Sequence, residues 1–377
     1  METTSCFCVA AVVVFVFAVL WRLPGGGRGG RPAALGGVLV GASLYVTGPP
    51  AACGVVLLGC SFILMCATER SDELLPAQSR AVLVTGCDSG FGHALAKQLS
   101  QLGVKVFAGV LDVNGAGAQQ LRQRGSDNLQ VLQLDVTDGS QIETAHGHIR
   151  TQVAASGLWG LVNNAGVLLC PMDAELHPMA VYRRHMDVNF LSAVRMCQVF
   201  LPLLRRSRGR IVNVSSMAGE VPMPMFAAYG ASKAALSVFS RVLRLELSSW
   251  GVSVALIQPA GFRTNIFGNS DDITRYRDEI LAAVSSEAME DYGKAYISSL
   301  PSSLSRMSRR SAEDLSPVVA DMCHALLAAR PRAVYTPGHL GWLLPFLHRC
   351  CPTAVFDAII ASFPKHADCE PAGLKRS

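Results

Sequence analysis

The sequence contains 12 cysteines, yet it lacks the spacings that would make them metal ligands or a disulfide framework. No Cys-x-x-Cys pair and no His/Cys cluster with metal-ligand spacing occurs, and the adjacent Cys350 and Cys351 have poor geometry for sharing one ion. Five cysteines fall within apolar runs near the start of the chain: Cys6, Cys8, Cys53, Cys60 and Cys66. We therefore predict no metal site, and reduced thiols in a cytosolic domain.

A strong excess of positive or negative charge is also lacking, because the formal net charge is only +5 over 377 residues. A basic cluster precedes a strand-like run and consists of Arg205, Arg206, Arg208 and Arg210. A solvated turn accounts for such a cluster more often than a nucleic-acid surface does. Internal repeats are absent, which excludes solenoid and propeller architectures. We therefore predict no nucleic-acid partner.

The first 70 residues have few charges. Residues 6–21 contain no charged side chain, and two more apolar runs cover residues 33–46 and 51–67. Each run is near or slightly below the roughly 17–25 residues of a spanning helix. We predict a membrane anchor over residues 1–70 with two or three hydrophobic segments. Because residues 48–50 break the second run from the third, these two form either two short spans or one re-entrant hairpin.

Basic residues near the first apolar run predict its orientation. Only Glu2 precedes the run, whereas Arg22, Arg28 and Arg31 follow it closely. The positive-inside rule places these arginines, and the domain that follows the anchor, in the cytosol. A cleaved signal peptide is the alternative, but residues 1–5 lack the basic start that it requires.

From Arg80 onward the sequence alternates short β-branched runs with longer helical patterns. This alternation predicts an α/β fold with a Rossmann-type, doubly wound parallel sheet, preceded by the N-terminal hydrophobic membrane segments. The predicted strands are residues 80–85, 104–109, 129–135, 159–163, 209–215 and 252–258, and amphipathic helices are predicted at 93–102 and 181–204.

Two later segments differ from this alternation. Residues 265–315 are less periodic and follow the last predicted strand, where such folds place a segment that covers the substrate. Residues 338–363 are apolar again, but Arg349, Asp357 and two prolines interrupt them. We predict that residues 338–377 form a membrane-associated segment and tail, with an interfacial helix rather than a span. Packing of this helix against the catalytic core is the alternative.

A glycine-rich turn follows the first predicted strand and opens a helix, which is the arrangement of a pyrophosphate site. Free backbone amides and the positive end of the helix attract phosphate, and glycines leave room for it to approach. Asp135 ends the third predicted strand, and residues 163–166 end the fourth. The predicted cofactor-binding residues of this crevice are Gly86, Ser89, Gly90, Phe91, Gly92, Asp135, Asn163, Ala165 and Gly166, together with Tyr229 and Lys233.

Asp112 lies just after the second predicted strand, about twenty residues after the glycine-rich turn. A carboxylate at this place accepts hydrogen bonds from both ribose hydroxyls of adenosine and repels a 2′-phosphate. No Arg or Lys occurs at residues 111–116 to bind such a phosphate. Asp112 therefore predicts NAD as the cofactor, and a solvated loop aspartate is the alternative.

Tyr229 and Lys233 lie four residues apart in a helical segment, so both side chains emerge on the same face. The ammonium, together with the cationic nicotinamide of NAD, favours the phenolate, and we expect the pKa of Tyr229 to fall toward neutrality. Ser216 lies thirteen residues earlier, where its hydroxyl can bind the same substrate oxygen. All three are predicted catalytic residues, and Ser216 and Tyr229 also bind the substrate. A tyrosine on a helix surface is the ordinary alternative.

The motifs TGCDSGFG, NNAG, YGASK and QPAGFRTN occur in the order that is typical of the short-chain dehydrogenase/reductase family, which the chain resembles over residues 80–340. The resemblance implies a catalytic domain over that range and a fourth catalytic residue, Asn189, that orders a water. It also implies that Pro259 and Thr264 contact the nicotinamide end of the cofactor. Ala260 departs from the family, which usually has Gly there, and would be strained if the backbone needs a positive φ.

Within the family, the chain is similar to the membrane-bound hydroxysteroid dehydrogenases. ELLP, GHALAK, VFAGVL and NVSSMAG resemble enzymes that act on 17β-hydroxyls, whereas GLWGLVNNAG and LLAARPR resemble enzymes that act on 11β-hydroxyls. The first set is larger. The resemblance implies NAD-dependent oxidation of a steroid alcohol, with the 17β-hydroxyl of oestradiol or testosterone favoured, by a domain on the cytosolic face of the endoplasmic reticulum membrane.

Other interpretations of the sequence stay open. An 11β-hydroxysteroid dehydrogenase and a retinol dehydrogenase are the alternative enzymes, and a non-catalytic lipid-binding protein on the same fold is the alternative of a different class. The expected partners are a lipophilic steroid and membrane lipid. A homodimer is an open alternative to a monomer.

Overall fold

Aliphatic and β-branched runs form seven strands in the computed structural model. The structure describes residues 73–375 apart from residues 125, 155, 269, 340 and 364–368, so the predicted membrane anchor lies outside the described residues. The strands are β1 (Ala81–Val84), β2 (Lys105–Val110), β3 (Leu129–Gln133), β4 (Gly160–Asn163), β5 (Arg210–Val214), β6 (Ser253–Ile257) and β7 (Val334–Tyr335). The six predicted strands are confirmed, with shifts at their ends, and β7 was not predicted because two residues show no period.

All neighbouring strands are parallel, in the order β3-β2-β1-β4-β5-β6-β7. The chain winds outward from β1 to β3 and then returns to β4 on the other side of β1. In open parallel sheets, this reversal opens a crevice at the carboxyl ends of the strands, where ligands bind. The predicted doubly wound sheet is therefore confirmed, and β1 and β4 flank its switch point.

Helices cover both faces of the sheet. The helices up to the fifth strand are α1 (Gly90–Gln101), α2 (Ala116–Arg124), α3 (Gly139–Val153), α4 (Met179–Met186) and α5 (Ser192–Ser207). Those that follow are α6 (Ala227–Ser248), α7 (Ser270–Ala283), α8 (Ser286–Tyr292), α9 (Lys294–Ser299), α10 (Ser302–Arg310), α11 (Ser316–Leu327), α12 (Leu343–Cys350) and α13 (Thr353–Ala361).

Alternating side chains of each strand fill two cores. Val82 and Val84 point to one face and pack in a cluster with Leu95 of α1. Leu83 points to the opposite face and packs in a cluster with Phe200 of α5. Because consecutive strand residues face opposite sides of a sheet, a strand covered by helices on both faces reads as a continuous apolar run.

The predicted helix at residues 181–204 is interrupted. Between α4 and α5, residues Asp187–Leu191 form one turn of π-helix. Within the described part of the chain, the continuous stretch Met179–Ser207 is the single helix long and apolar enough to cross a membrane, and half of its most apolar window is buried inside the domain. Burial against the sheet accounts for this apolarity, since α5 supplies core residues such as Phe200.

The two segments that follow the sixth strand are both helical. The predicted covering segment, residues 265–315, contains α7 to α10, and its Ile280, Ile297 and Leu300 form a small apolar cluster with Met172 and Leu176. The apolar segment at residues 338–363 forms α12 and α13. These two helices bury Leu344 and Phe356 against Val221, whereas Trp342 is 65% exposed. One face of the segment therefore packs on the core, and its membrane association stays a prediction.

Candidate active site

The glycine-rich turn joins β1 to the first turn of α1. Gly86 and Gly90 have φ of +67° and +62°, in the left-handed region that favours glycine. A Cβ on Gly92 would lie 2.4 Å from the carbonyl oxygen of Gly86, so only glycine lets the helix approach the turn this closely. Gly86, Ser89, Gly90 and Phe91 line a cavity above the turn. The chain therefore forms a seat of the shape and polarity that a pyrophosphate requires.

Asn164 fixes the conformation of this turn from the neighbouring strand. Its side-chain Nδ2 donates to the carbonyl oxygens of Thr85 at 2.8 Å and Gly86 at 3.0 Å. In return, the hydroxyl of Thr85 accepts hydrogen bonds from the amides of Asn164 and Ala165, both at 3.0 Å. The turn and the end of β4 are thus held together by four hydrogen bonds, two of them made by the Asn164 side chain.

Two carboxylates lie at the end of β2. The side chain of Asp88, which lines the cavity, accepts hydrogen bonds from the amides of Leu111 at 3.0 Å and Asp112 at 3.2 Å. Asp112 is exposed, and its carboxylate accepts a hydrogen bond from the amide of Asn114 at 2.9 Å. Asp112 was predicted as a cofactor residue and Asp88 was not. The sequence of a glycine-rich turn does not indicate which strand its aspartate will contact.

Three further predicted cofactor residues lie around the same cavity. Asp135 lines it and accepts hydrogen bonds from both the amide and the hydroxyl of Thr137. Pro259 and Thr264 line it at the end of β6, where the carbonyl of Pro259 accepts a hydrogen bond from the amide of Met217 at 3.0 Å. The structure therefore brings Gly86 and Thr264, which are 178 positions apart in sequence, to one crevice at the carboxyl edge of the sheet.

Tyr229, Lys233 and Ser216 meet in this crevice. Tyr229 and Lys233 project from α6, and the Lys233 Nζ donates to the carbonyl of Val214 at 2.9 Å. Ser216 hydrogen-bonds to Tyr229 and caps the 3₁₀ turn that follows β5. The preceding Ser215 points away, since its hydroxyl bonds to the backbone carbonyl of Lys233 at 2.9 Å. A phenol, an ammonium and an aliphatic hydroxyl are thus placed side by side.

Asn189 lies directly behind these groups, in the π-helical turn. Its Nδ2 donates to the carbonyl of Val167 and to the Ser232 hydroxyl, each at 3.0 Å, and its Oδ1 accepts from the amide of Val167 at 2.8 Å. A Cβ on Gly166 would lie 3.2 Å from both the Asn189 Oδ1 and the Lys233 Nζ. Gly166 therefore leaves open the space between these two side chains, and the water-ordering role of Asn189 stays a prediction.

A cavity of about 1200 Å³ is lined by Ser216, Tyr229 and Lys233 together with the glycine-rich turn. Its cofactor end is lined by the glycine-rich turn, and its other end is lined mainly by apolar side chains. Five of these apolar side chains lie between Ser216 and Tyr229 in sequence: Met217, Val221, Met223, Met225 and Phe226. The C-terminal helices add Leu344 and Ile360. The cavity is therefore large enough for a dinucleotide beside a bulky apolar molecule.

Comparison with known proteins identifies the architecture. Residues 80–274 match the short chain dehydrogenase family. The chain belongs to that family. Estradiol 17-beta-dehydrogenase 2 of Mus musculus is 47% identical over 299 residues, which cover 79% of this chain and 78% of the mouse protein. 11-beta-hydroxysteroid dehydrogenase type 2 of Ovis aries is 46% identical over 278 residues, which cover 74% of this chain and 65% of the sheep protein.

A solved structure agrees with this assignment. A short-chain dehydrogenase from Streptomyces avermitilis is similar with a TM-score of 0.57 and 25% identity, covering 75% of this chain and 93% of its own. The family resemblance inferred from the sequence is thus confirmed.

Three predicted cofactor residues of this short-chain dehydrogenase do not line the cavity: Gly92, Asp112 and Asn163. Asn163 is buried beneath the site, where its Nδ2 donates to the Oδ1 of Asn213 on the next strand at 2.8 Å. Asn163 and Asn164 are adjacent at the end of one strand, so their side chains diverge, and only Asn164 reaches the cavity. The cofactor role of Asn163 therefore stays a prediction, and of the two asparagines it is Asn164 that lines the cavity.

The protein groups alone do not lower the pKa of Tyr229, and its fall in the presence of the cationic nicotinamide stays a prediction. Burial raises the pKa of Tyr229 to about 12, and the hydrogen bond from Ser216 offsets only part of this effect. Burial also lowers the pKa of Lys233 to about 8. The Nζ lies 5.9 Å from the centre of the tyrosine ring. Desolvation therefore outweighs the attraction between the phenolate and the ammonium.

Ala260, the departure from the family pattern, is accommodated without strain. Its φ is not positive, and its amide donates to the carbonyl of Pro337 at 3.0 Å. Gly338, with φ of +106°, lies opposite, and a Cβ there would come within 2.9 Å of the Cβ of Ala260. The nicotinamide-side loop of the dehydrogenase therefore accepts alanine because glycine occupies the facing position.

Proposed function

We propose that the protein is an NAD-dependent hydroxysteroid dehydrogenase that oxidises a secondary alcohol to a ketone, with a 17β-hydroxyl as the favoured substrate group. The observation that most supports this proposal is the cluster of Ser216, Tyr229 and Lys233 at the junction between a dinucleotide-shaped cleft and an apolar cavity. The similarity to estradiol 17-beta-dehydrogenase 2 of mouse and 11-beta-hydroxysteroid dehydrogenase type 2 of sheep supports the substrate class.

Each polar group has a distinct task in this proposal. The hydroxyl of Ser216 forms a hydrogen bond with the substrate oxygen, and the phenolate of Tyr229 accepts the proton of the substrate alcohol. Lys233 keeps a cation inside the site, and this cation stabilises the phenolate relative to an equally buried tyrosine without one. NAD, when bound, accepts the hydride, while the chain supplies position and electrostatics.

Replacement of Tyr229 by Phe tests the chemistry. The change keeps the ring and its packing but removes the proton acceptor, so we expect turnover to fall by at least about 10²-fold. Binding of a steroid, measured by quenching of protein fluorescence, should change little. Unchanged turnover would contradict the catalytic assignment, and steroid binding without turnover in the parent protein would favour the non-catalytic lipid-binding alternative.

The preference for NAD rests on the two carboxylates at the end of β2. A 2′-phosphate placed there would meet the negative charges of Asp112 and Asp88, and the amides of Leu111 and Asp112 that could bind it already donate to Asp88. Electrostatic repulsion and the loss of those donors both disfavour NADP.

Kinetics with both cofactors test this preference. We expect Asp112→Ala to lower the ratio of kcat/KM for NAD over NADP by about ten-fold, and the double variant with Asp88→Ala to lower it further. Asp127→Ala, at an exposed loop position, is the matched control. An unaltered ratio in the double variant would remove both carboxylates from the cofactor site.

A substrate panel tests the hydroxyl. The cavity wall contains Met223, Met225, Phe226 and Phe262, a surface that suits a rigid apolar alcohol. We expect oestradiol and testosterone to have higher kcat/KM than 11-hydroxysteroids or retinol in the presence of NAD. Faster turnover of an 11-hydroxysteroid or of retinol would replace the proposed substrate by that alternative.

Two further proposals concern location and assembly. We propose that the catalytic domain faces the cytosol on the endoplasmic reticulum membrane, so that protease added to intact microsomes digests it. Protection from the protease would place the domain in the lumen.

For assembly, α6 exposes an apolar row at helical spacing, formed by Val238, Val242 and Leu245. Two copies could pair these rows about a two-fold axis. A homodimer is therefore proposed, and sedimentation of the purified protein in detergent as a monomer would contradict it.

A further inference from the structure

Helices α12 and α13, here called the C-terminal hairpin, form one wall of the apolar cavity. Leu344 and Ile360 line the cavity from this hairpin. Its apolar attachment is small, because Leu344 and Phe356 are its buried residues in the cluster around Val221. Trp342 and other large apolar side chains of the segment face outward. Apolar packing alone is therefore a weak restraint on the position of this wall.

One buried carboxylate supplies a stronger restraint. The side chain of Glu220 is only 10% exposed, and its Oε1 accepts hydrogen bonds from Arg349 of α12, from Nε at 2.9 Å and from Nη2 at 2.5 Å. Its Oε2 accepts from Arg241 of α6 and from the amide Nε2 of Gln258 at 3.2 Å. Charge-assisted hydrogen bonds of this kind are about twice as strong as neutral ones.

The same carboxylate is tied to the catalytic residues. Glu220 follows the 3₁₀ turn that Ser216 caps, and its own amide donates to the carbonyl of Met217 at 3.0 Å. Gln258 continues the network to the hydroxyl of Ser237 at 3.4 Å. Ser237 in turn bonds to the Lys233 carbonyl at 2.9 Å. The hydrogen-bond network thus extends from the C-terminal hairpin to the backbone of the catalytic helix.

We infer that Glu220 is a positioning residue, which fastens the C-terminal hairpin through Arg349 to the catalytic helix and thereby sets the apolar wall against the bound alcohol. This inference rests on the proposed function of the cavity. Neither Glu220 nor Arg349 lines the cavity, so neither touches the reacting atoms. Loss of the ion pair therefore weakens binding of a bulky substrate and leaves the chemical step largely intact.

Arg349→Met is the decisive variant, since Arg349 is 56% exposed and its loss opens no hole in the core. We expect KM for oestradiol to rise by about five-fold while kcat stays within two-fold, and Arg349→Lys to recover part of the loss. Arg244→Met, at an exposed position of α6, is the matched control and should leave both constants unchanged. Glu220→Gln should raise KM at least as much as Arg349→Met, since it also weakens the bonds to Arg241 and Gln258. The double variant should be no worse than Glu220→Gln, because both changes remove the same Arg349–Glu220 ion pair.

Hydrogen exchange of the full-length protein without substrate gives a second readout. In Arg349→Met, amides of α12 and α13 should exchange faster than in the parent and in Arg244→Met, while amides of the sheet stay protected. Unchanged exchange in the hairpin would overturn the inference whatever the substrate proves to be. Faster exchange with an unchanged KM, or with an equal fall in kcat, would also overturn it, because the wall would then not position the alcohol. Failure of oestradiol alone as a substrate, with faster hairpin exchange, would count against the proposed function instead.

Discussion

Replacement of Lys233 by Met should stabilise the protein while it abolishes turnover. Lys233 is 2% exposed, and the described residues give its ammonium one hydrogen bond, to the carbonyl of Val214. Burial lowers its pKa from 10.5 to about 8, and each pKa unit is worth about 1.4 kcal/mol, so the buried charge costs about 3 kcal/mol at neutral pH. Methionine removes this cost but leaves the Val214 carbonyl without its donor, at about 1 kcal/mol. The net gain is about 2 kcal/mol.

The pH dependence has a definite sign. Below about pH 8 the Lys233 side chain is charged in the folded protein, so the full free-energy cost of burying this charge lowers the stability of the parent protein. Between that pH and the ordinary value of 10.5, the unfolded chain binds the proton more tightly, and the parent gains stability as pH rises. The advantage of Lys233→Met should therefore shrink by about 2–3 kcal/mol from pH 7 to pH 10. The raised pKa of Tyr229 acts only above its ordinary value of 10, so it does not obscure this window.

Thermal unfolding of the purified full-length protein in detergent measures the effect. At pH 7 we expect Tm to rise by about 5 °C in the variant. Lys294→Met, which removes an exposed lysine, should leave Tm unchanged at both pH values. Equal or lower stability of Lys233→Met at pH 7, or a difference that does not vary with pH, would refute the buried-charge argument and indicate that Lys233 is solvated or paired.

Three other substitutions have defined outcomes. Gly92→Ala should raise KM for NAD by about ten-fold or more and lower stability by about 1–3 kcal/mol, because its Cβ would lie 2.4 Å from the Gly86 carbonyl oxygen; cofactor titration checks this. Gly338→Ala should cost about 1–3 kcal/mol in urea unfolding, since φ is +106° and Ala260 lies opposite. Asn163→Ala should lower stability by about 1–3 kcal/mol yet leave KM for NAD within two-fold, and a selective rise in KM would return this residue to the cofactor site.

Those parts of the site that depend on backbone chemistry could be predicted from the sequence. The glycine-rich turn is readable because positive φ and close approach admit almost no residue but glycine. The spacing of Tyr229 and Lys233 is readable because helical period fixes which side chains share a face. The six longer strands were likewise predicted, since strands buried on both faces form continuous apolar runs.

Features that depend on tertiary packing could not be predicted. The choice between Asn163 and Asn164 depends on which of two adjacent side chains faces the crevice. The raised pKa of Tyr229 reflects desolvation inside the folded domain, which no local pattern encodes. The five partners of Glu220 and Asp88 come from distant elements, so their contacts emerge only once the chain is folded.

The π-helical turn at Asp187–Leu191 makes this region sensitive to chain length. A π turn amounts to an α-helix with one residue inserted, and each residue rotates a helix by about 100°. Deletion of a single residue there could leave every predicted catalytic residue in the sequence. It would nevertheless turn either Asn189 away from Val167 or Phe200 away from the core. A one-residue gap at this place in an alignment therefore predicts a disrupted active site, even in a relative that keeps all four predicted catalytic residues.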